Sequence, residues 1–216
     1  MKLNKLQYIL LGAFIALSIL AASINFTPFV AGKGLKFTFF DLYAPIAGSL
    51  FGSLPGSIAV LTVEIFNLLW RQTFSLAEFL HLFPVIFGTW YFGTNKKLAS
   101  LVPVIAIIGF VSAPVGREVW YYSLFWLIPV LCQPFKIKSL LARSLGATFT
   151  AHAVGGLLWV YAFNPPAAVW QSLIPIVIME RLTFALTSGI MYVLIKKIIT
   201  YAISTHQNSA NQTAAR

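Results

Sequence analysis

Residues 6–30 read LQYILLGAFIALSILAASINFTPFV, a run without a single charged side chain. A helix needs about 20 mainly apolar residues to cross the hydrocarbon core of a bilayer, and this run exceeds that length. Lys2 and Lys5 precede it, so a cleaved secretory signal is the alternative interpretation. The run is about twice as long as a usual signal core, and Ala-Ala-Ser at 21–23 is a poor cleavage site. We therefore predict a retained first membrane helix.

Further apolar runs follow along the chain, separated by short polar or Gly/Pro-containing breaks. The 216 residues are 59% hydrophobic and 9% charged, with a mean hydropathy of +0.84. A soluble domain carries about 25% charged residues, so an ordinary soluble enzyme is excluded. The runs lack the two-residue alternation of a transmembrane β-barrel. They cover residues 37–54, 57–70, 76–92, 98–115, 119–135, 139–163 and 167–203.

These runs predict an all-α fold, a polytopic membrane helical bundle with six to eight hydrophobic segments. Residues 1–203 would form a single integral membrane domain, and the polar residues 204–216 a disordered cytoplasmic tail. Within residues 37–71, two short runs are joined by Pro55-Gly56, and each is shorter than a full crossing. They either cross the membrane twice or form a re-entrant hairpin, which requires protein or water around its backbone.

The net charge of +10 is typical of a membrane protein whose cytoplasmic loops collect lysine and arginine. With the N-terminus inside, ten cations lie on the cytoplasmic side and four outside. This bias predicts a multi-pass protein of the plasma membrane with both termini cytoplasmic. No basic stretch is interleaved with aromatic residues as in a phosphate-binding groove, so we expect no nucleic acid as a partner. The expected surroundings are the lipid bilayer.

Sequence motifs for metals, nucleotides and nucleophilic catalysis are missing. Cys132 stands alone, and there is neither a His-Glu-x-x-His pattern nor a phosphate-binding loop nor a Gly-x-Ser-x-Gly elbow. We therefore predict no cofactor, no metal, no catalytic residue and no enzymatic activity. If the chain drives uphill transport, the energy must come from a gradient or another subunit.

Polar side chains at membrane depth are costly, so they are candidates for a functional site. Glu64, Asn67 and Arg71 are spaced i, i+3, i+7 and therefore share one helix face. Asp41 lies on the other side of the Pro55-Gly56 turn, where it can approach them. An acid, an amide and a guanidinium can bind a small polar molecule through several hydrogen bonds. The alternative is an internal salt-bridge network that locks the hairpin.

His152 and Trp120 complete the candidate set. His152 lies in mid-helix and either bonds a neighbouring helix or contacts a ligand. Three aromatic residues are candidate pocket walls for a planar ring: Trp120, Tyr121 and Trp159. An interfacial aromatic belt is the favoured alternative. The predicted substrate-binding residues are Asp41, Glu64, Asn67, Arg71, His152 and Trp120.

Two stripes of small residues recur at four-residue spacing. Gly48, Gly52 and Gly56 form one, and Ala147, Ala151 and Gly155 form the other. Such spacing lets helix backbones approach closely in lipid. The stripes serve either packing within the bundle or docking against a partner's helices.

Residues 40–65, FDLYAPIAGSLFGSLPGSIAVLTVEI, resemble the second and third helices of the substrate-binding S components of energy-coupling factor transporters. That family carries an acid, then Gly-x-Leu-Phe-Gly-Pro-x-x-Gly, and a polar residue one or two turns later. The resemblance covers the first third of the chain. The family usually has six helices, and its small-residue motif on the first helix is reduced here to Gly12 and Ala16.

The resemblance implies a membrane subunit that binds a vitamin or similar micronutrient for uptake. It also implies two kinds of partner, a transmembrane coupling subunit and a pair of ATPases, and a loop at residues 32–36 that closes over an outward site. The alternative function is a polytopic membrane enzyme or assembly factor that acts on lipid-linked substrates. A secondary transporter is less favoured, because no inverted repeat is evident.

Overall fold

The computed structural model describes residues 5–28, 36–72 and 74–214. Helices dominate this part of the chain, which confirms the all-α prediction, and one small β-hairpin accompanies them. In chain order the elements are α1 (Lys5–Ala22), β1 (Asn25–Pro28), β2 (Lys36–Thr38), α2 (Phe39–Tyr43), a 3-10 turn (Ala44–Ile46), α3 (Ala47–Phe51), α4 (Ser53–Arg71), α5 (Leu76–Gly93), a 3-10 turn (Lys97–Ser100), α6 (Leu101–Ser112), α7 (Pro114–Glu118), a 3-10 helix (Trp120–Leu127), α8 (Ile128–Cys132), α9 (Leu140–Phe163) and α10 (Ala167–Ala214).

Four helices in this part of the chain are long and apolar enough to cross a membrane. Three further apolar helical stretches are shorter, at 10–17 residues, and α5, with 18 residues, is not among the four. Large apolar side chains point outward, and Leu17, Trp70 and Met179 are each more than 60% exposed. An apolar exterior of this extent fits a lipid environment and not water. The four candidate spans are Lys5–Ala22, Ser53–Arg71, Leu140–Phe163 and Ala167–Thr205.

The first helix is shorter than the sequence predicts. It ends at Ala22 instead of continuing to Val30, and β1 then pairs with β2 in an antiparallel hairpin. Pro28 favours an early end, because proline lacks the N–H of a helical hydrogen bond and disfavours the helical conformation of the residue before it. The hairpin leads directly into α2, whose first N–H, that of Phe39, donates to the carbonyl of Ile24 over 2.8 Å.

Residues 37–71 form a helical hairpin whose turn lies earlier than predicted. The chain reverses at Gly52, whose φ of 99° favours glycine. Pro55 falls in the first turn of α4, where its missing N–H costs nothing. The arm from Phe39 to Phe51 is shorter than a candidate span. Gly48 and Gly56 are needed where backbones meet, since a side chain at 48 would strike the carbonyl of Thr89 and one at 56 would strike Ala47.

Helix α9 is the central helix of the bundle. It packs against α5, α6, α8 and α10, and half of its most apolar window is buried. Two glycines of α9 leave space for large rings on the surface of this helix. A side chain at Gly146 would strike Tyr91, and one at Gly156 would strike Trp126. Both small-residue stripes therefore contribute to packing within the bundle, as Gly88 against Ala147 and Ala151 also shows.

The last helix continues through the segment for which the sequence predicts a disordered tail. Helix α10 extends to Ala214, so residues 204–214 are helical, and residues 215–216 lie outside the described chain. No glycine or proline interrupts this segment, and alanine and glutamine are good helix formers. Polarity alone predicts solvent exposure and not the end of a helix.

Candidate functional site

One cavity, the main cavity, lies between α2, α5, α9, α10 and the 3-10 helix Trp120–Leu127. It leaves about 90 Å³ for the centres of water-sized molecules, several times what a single water needs. Its walls are mainly apolar and aromatic, with a few polar side chains. Its lining includes Phe37, Asp41, His81, Tyr122, Thr148, Ala151, His152, Gly155, Trp159, Trp170, Leu173, Arg181, Phe184 and Ser188.

A second space, the side cavity, adjoins the main cavity. It is smaller, at about 40 Å³ by the same measure, and most of its lining is polar. Asp41 and His81 line both cavities, so these two side chains form part of the wall between them. The other side-cavity residues are Thr38, Glu64, Asn67, Leu68, Arg71, Glu78 and Leu82.

Asp41 is held rigidly by the start of α2. Its Oδ2 accepts hydrogen bonds from the backbone N–H of Thr38 at 2.6 Å and from the Thr38 hydroxyl at 2.7 Å. The Thr38 hydroxyl in turn accepts a bond from the Asp41 backbone N–H, which completes a capping box. Asp41 is 5% exposed, and its Oδ1 has no hydrogen-bond partner. One carboxylate oxygen thus builds the helix cap, and the other is left for the cavity.

Arg181 is the buried cation of the main cavity. Its Nη2 lies 3.0 Å from Oε1 of Glu180, and its Nη1 lies 3.5 Å from the Thr148 hydroxyl. The guanidinium also lies over two aromatic rings, with Cζ 4.4 Å from the centroid of Phe184 and 5.2 Å from that of Phe37. Its Nε has no partner, so one donor remains available.

The sequence set omits Arg181, although the signal was present as a lone arginine in the final apolar run. Adjacent residues of a helix diverge by about 100°, so helical periodicity alone would place Glu180 and Arg181 apart. The structure instead brings their charged ends together. Long side chains can meet although their Cα–Cβ bonds diverge, which helical periodicity alone does not reveal.

His152 has partners on both ring nitrogens. The indole N–H of Trp126 lies 3.0 Å from Nδ1, and the Tyr122 hydroxyl lies 3.1 Å from Nε2. Because the indole can only donate, Nδ1 must accept, and the neutral imidazole carries its proton on Nε2. That N–H then donates to Tyr122, whose own hydroxyl hydrogen is free for another acceptor. His152 therefore positions Tyr122 and offers a ligand no free nitrogen.

The prediction that Glu64, Asn67 and Arg71 share one face is confirmed, since all three line the side cavity with Asp41. The alternative, an internal salt-bridge network, is not seen among the described residues. Arg71 instead donates from Nη2 to the carbonyl of Ala22 at 3.0 Å, which ties the end of α1 to α4. Among the described residues the one salt bridge joins Glu180 and Arg181.

Trp120 lines neither cavity. It is 54% exposed, and its neighbour is the ring of Tyr121. The indoles at the main cavity come from Trp159 and Trp170. The structure therefore favours the interfacial interpretation for Trp120. Trp170 is 3% exposed, and its Nε1 has no partner.

No protein-family model matches the chain, and the comparisons with curated proteins and with solved structures find no match either. Within the described residues no group of three or more His, Cys, Asp or Glu could hold a metal ion.

Proposed function

We propose that this protein is the membrane-embedded substrate-binding subunit of an uptake system for a vitamin or similar small micronutrient. In this proposal it is an S component of the energy-coupling factor type, as the resemblance of residues 40–65 implies. It crosses the plasma membrane several times with both termini in the cytoplasm. It works with a separate transmembrane coupling subunit and a pair of ATPases.

One observation carries the proposal: three side chains that line the same aromatic-walled cavity each have a buried polar atom without a hydrogen-bond partner among the described residues. These atoms are Oδ1 of Asp41, Nε of Arg181 and Nε1 of Trp170. A buried polar atom without a hydrogen bond costs roughly 1–3 kcal/mol, so leaving three around one space is unfavourable. A bound small molecule with complementary groups would satisfy them, and apolar walls with a few polar groups are typical of ligand sites.

The ligand-binding part of the proposal is tested by mass spectrometry of small molecules released from the purified protein on denaturation. We expect a discrete compound from the wild type and none from Ala151→Phe, which fills the main cavity. Ala13→Phe is the control, because Ala13 is an exposed residue of α1. Identical spectra from the wild type and Ala151→Phe would contradict the proposal.

The uptake part is tested in sealed vesicles. We expect the chain to bind its substrate alone but to accumulate it only when the coupling subunit, the ATPases and ATP are present, because the sequence has no nucleotide-binding motif. Accumulation by the chain alone, driven by an ion gradient, would contradict this proposal and favour a secondary transporter.

A further inference from the structure

The acidic side chains of this basic protein are concentrated at the two cavities. The chain has five Asp and Glu residues against fifteen Lys and Arg. Asp41, Glu64 and Glu78 line the cavities, and Glu180 pairs with Arg181 at the main cavity. Only Glu118 lies elsewhere, on the surface. Among the described residues that line the cavities, three carry a carboxyl group and two, Arg71 and Arg181, are arginines, whereas the protein as a whole is strongly basic.

Asp41 is an acid of the main cavity that has no salt bridge among the described residues. Arg181 is already paired with Glu180 at 3.0 Å, and within the described chain no salt bridge reaches Asp41. Its hydrogen bonds come from the neutral backbone and hydroxyl of Thr38, and they use Oδ2 alone. A buried carboxylate strongly favours a cationic partner, because the apolar surroundings do not replace its hydration. Asp41 lines the main cavity, and its Oδ1 has no partner among the described residues.

The rest of the cavity suits a planar body with hydrogen-bond acceptors. Phe37, Trp159 and Trp170 supply aromatic surface, which attracts organic cations. The unpartnered N–H groups of Trp170 and Arg181, with the free hydroxyl hydrogen of Tyr122, all donate. A ligand that satisfies all four groups presents a donor to Asp41 and acceptors to the other three.

We propose that the main cavity binds a small planar organic cation. A protonated nitrogen group of the ligand donates to Oδ1 of Asp41, its ring lies among the aromatic side chains, and oxygen or ring-nitrogen acceptors meet Tyr122, Trp170 and Arg181. This inference rests on the proposed function in one respect, that the main cavity is a ligand site.

The test uses three probes of nearly the same shape and different charge: benzamidine, benzamide and benzoate, which are cationic, neutral and anionic. Binding to the detergent-purified wild type is measured by tryptophan fluorescence, since Trp159 and Trp170 line the cavity. We expect benzamidine to bind about tenfold more tightly than benzamide, because a hydrogen bond between charged groups is stronger than a neutral one, and benzoate to bind most weakly.

Two variants test whether Asp41 causes the preference for benzamidine. Asp41→Asn should reduce the ratio of benzamide to benzamidine dissociation constants to about one. Glu118→Gln removes a charge of the same sign at an exposed residue that lines neither cavity, and it should leave the ratio unchanged. Asp41 also caps α2, so the substitution can affect folding. The melting temperature of Asp41→Asn without probe shows whether the variant folds. The comparison of the three probes on the wild type decides the proposal without any variant.

A preference for benzoate, equal binding of all three probes, or an unchanged ratio in folded Asp41→Asn would overturn the cation assignment. If the purified protein still releases a discrete compound, the cavity remains a ligand site and the proposed function stands. If no probe binds and no compound is released, both proposals fail together.

Discussion

At the scale of single residues, the firmest feature is the hydrogen-bonded chain from Trp126 through His152 to Tyr122. Every member is nearly buried, and the direction of donation follows from the indole N–H at one end. The chain orients one hydroxyl toward the main cavity. It would be lost if any link were replaced by an apolar group.

Trp126→Phe should therefore destabilise the protein by about 1–3 kcal/mol, because it leaves Nδ1 of His152 buried without a donor. Trp120→Phe is the matched control and should change stability by less than about 0.5 kcal/mol, since Trp120 is exposed. Thermal unfolding in detergent, followed by circular dichroism, compares the two. Equal losses would show that the hydrogen bond to His152 contributes nothing.

Lys136 is a buried cation in the loop between α8 and α9. It is 1% exposed, its Nζ donates to the carbonyl of Tyr91 at 2.8 Å, and it lies 4.0 Å from the centroid of the Tyr91 ring. Burial, and then the charge of Arg143, lower the pKa of Lys136 to about 8. An unfolded chain holds this proton until about pH 10.4.

Between these two values the unfolded chain binds more protons than the folded one, so this residue makes stability rise with pH. The rise begins near pH 8 and ends near the ordinary lysine pKa. We expect Lys136→Met to lack this part of the increase in melting temperature, while Lys138→Met, at an exposed lysine two residues away, retains it. Parallel pH profiles for the wild type and Lys136→Met would contradict the lowered pKa.

Residue spacing alone predicts part of the candidate site. The i, i+3, i+7 rule placed Glu64, Asn67 and Arg71 on one face, because helical periodicity is a property of the backbone alone. It could not show that Arg71 binds the end of α1, or that Arg181 enters the main cavity. Those contacts depend on how helices distant in sequence pack together.

At the scale of elements, close packing of glycines fixes how the short arm, residues 39–51, meets α4 and α5. A side chain at Gly48 would strike the carbonyl of Thr89, and one at Gly93 would strike the backbone of Gly48. Backbone atoms cannot move aside as a flexible side chain can. These glycines therefore set the distance between the short arm and α5.

Gly48→Ala should destabilise the protein by about 1–3 kcal/mol or more through overpacking. Gly12→Ala is the control on α1, where an added methyl group meets no atom within 4 Å, and it should be nearly neutral. Size-exclusion profiles and melting temperatures distinguish the two variants. A Gly48→Ala protein as stable as Gly12→Ala would mean that the arms of the hairpin can separate at little cost.

Element boundaries were predicted less well than element existence. Hydropathy predicts one helix over residues 6–30 because it does not distinguish helix from strand. Helix α1 instead ends at Ala22, and the conformational effect of Pro28 favours such an early end. The turn lies at Gly52 and not at the predicted Pro55-Gly56, because backbone conformation and not hydropathy decides where the chain reverses. Proline is compatible with the first turn of a helix, whereas a left-handed φ requires glycine more strongly.

At the scale of the whole molecule, orientation in the membrane is the property that the cation count predicts. Helix α5 separates Phe74 from Lys97, and its 18 residues span about 27 Å. In a Cys132→Ser background, we expect Lys97→Cys to resist a membrane-impermeant thiol reagent in intact cells. Phe74→Cys should react. Labelling of the first variant from outside would reverse the proposed topology.

Because α10 is long, a small tilt of its axis moves its far end much more than the part beside the main cavity. The helix passes the main cavity at Arg181 and continues beyond Lys197, and Pro175 is a built-in pivot because it removes a backbone hydrogen bond. Lys197 lies 22 residues beyond that pivot, and Arg181 only six. A tilt of about 10° at Pro175 would shift the Arg181 backbone by about 1.6 Å and that of Lys197 by about 6 Å. The helix is thus a lever that enlarges a small displacement beside the cavity almost fourfold at its basic far end.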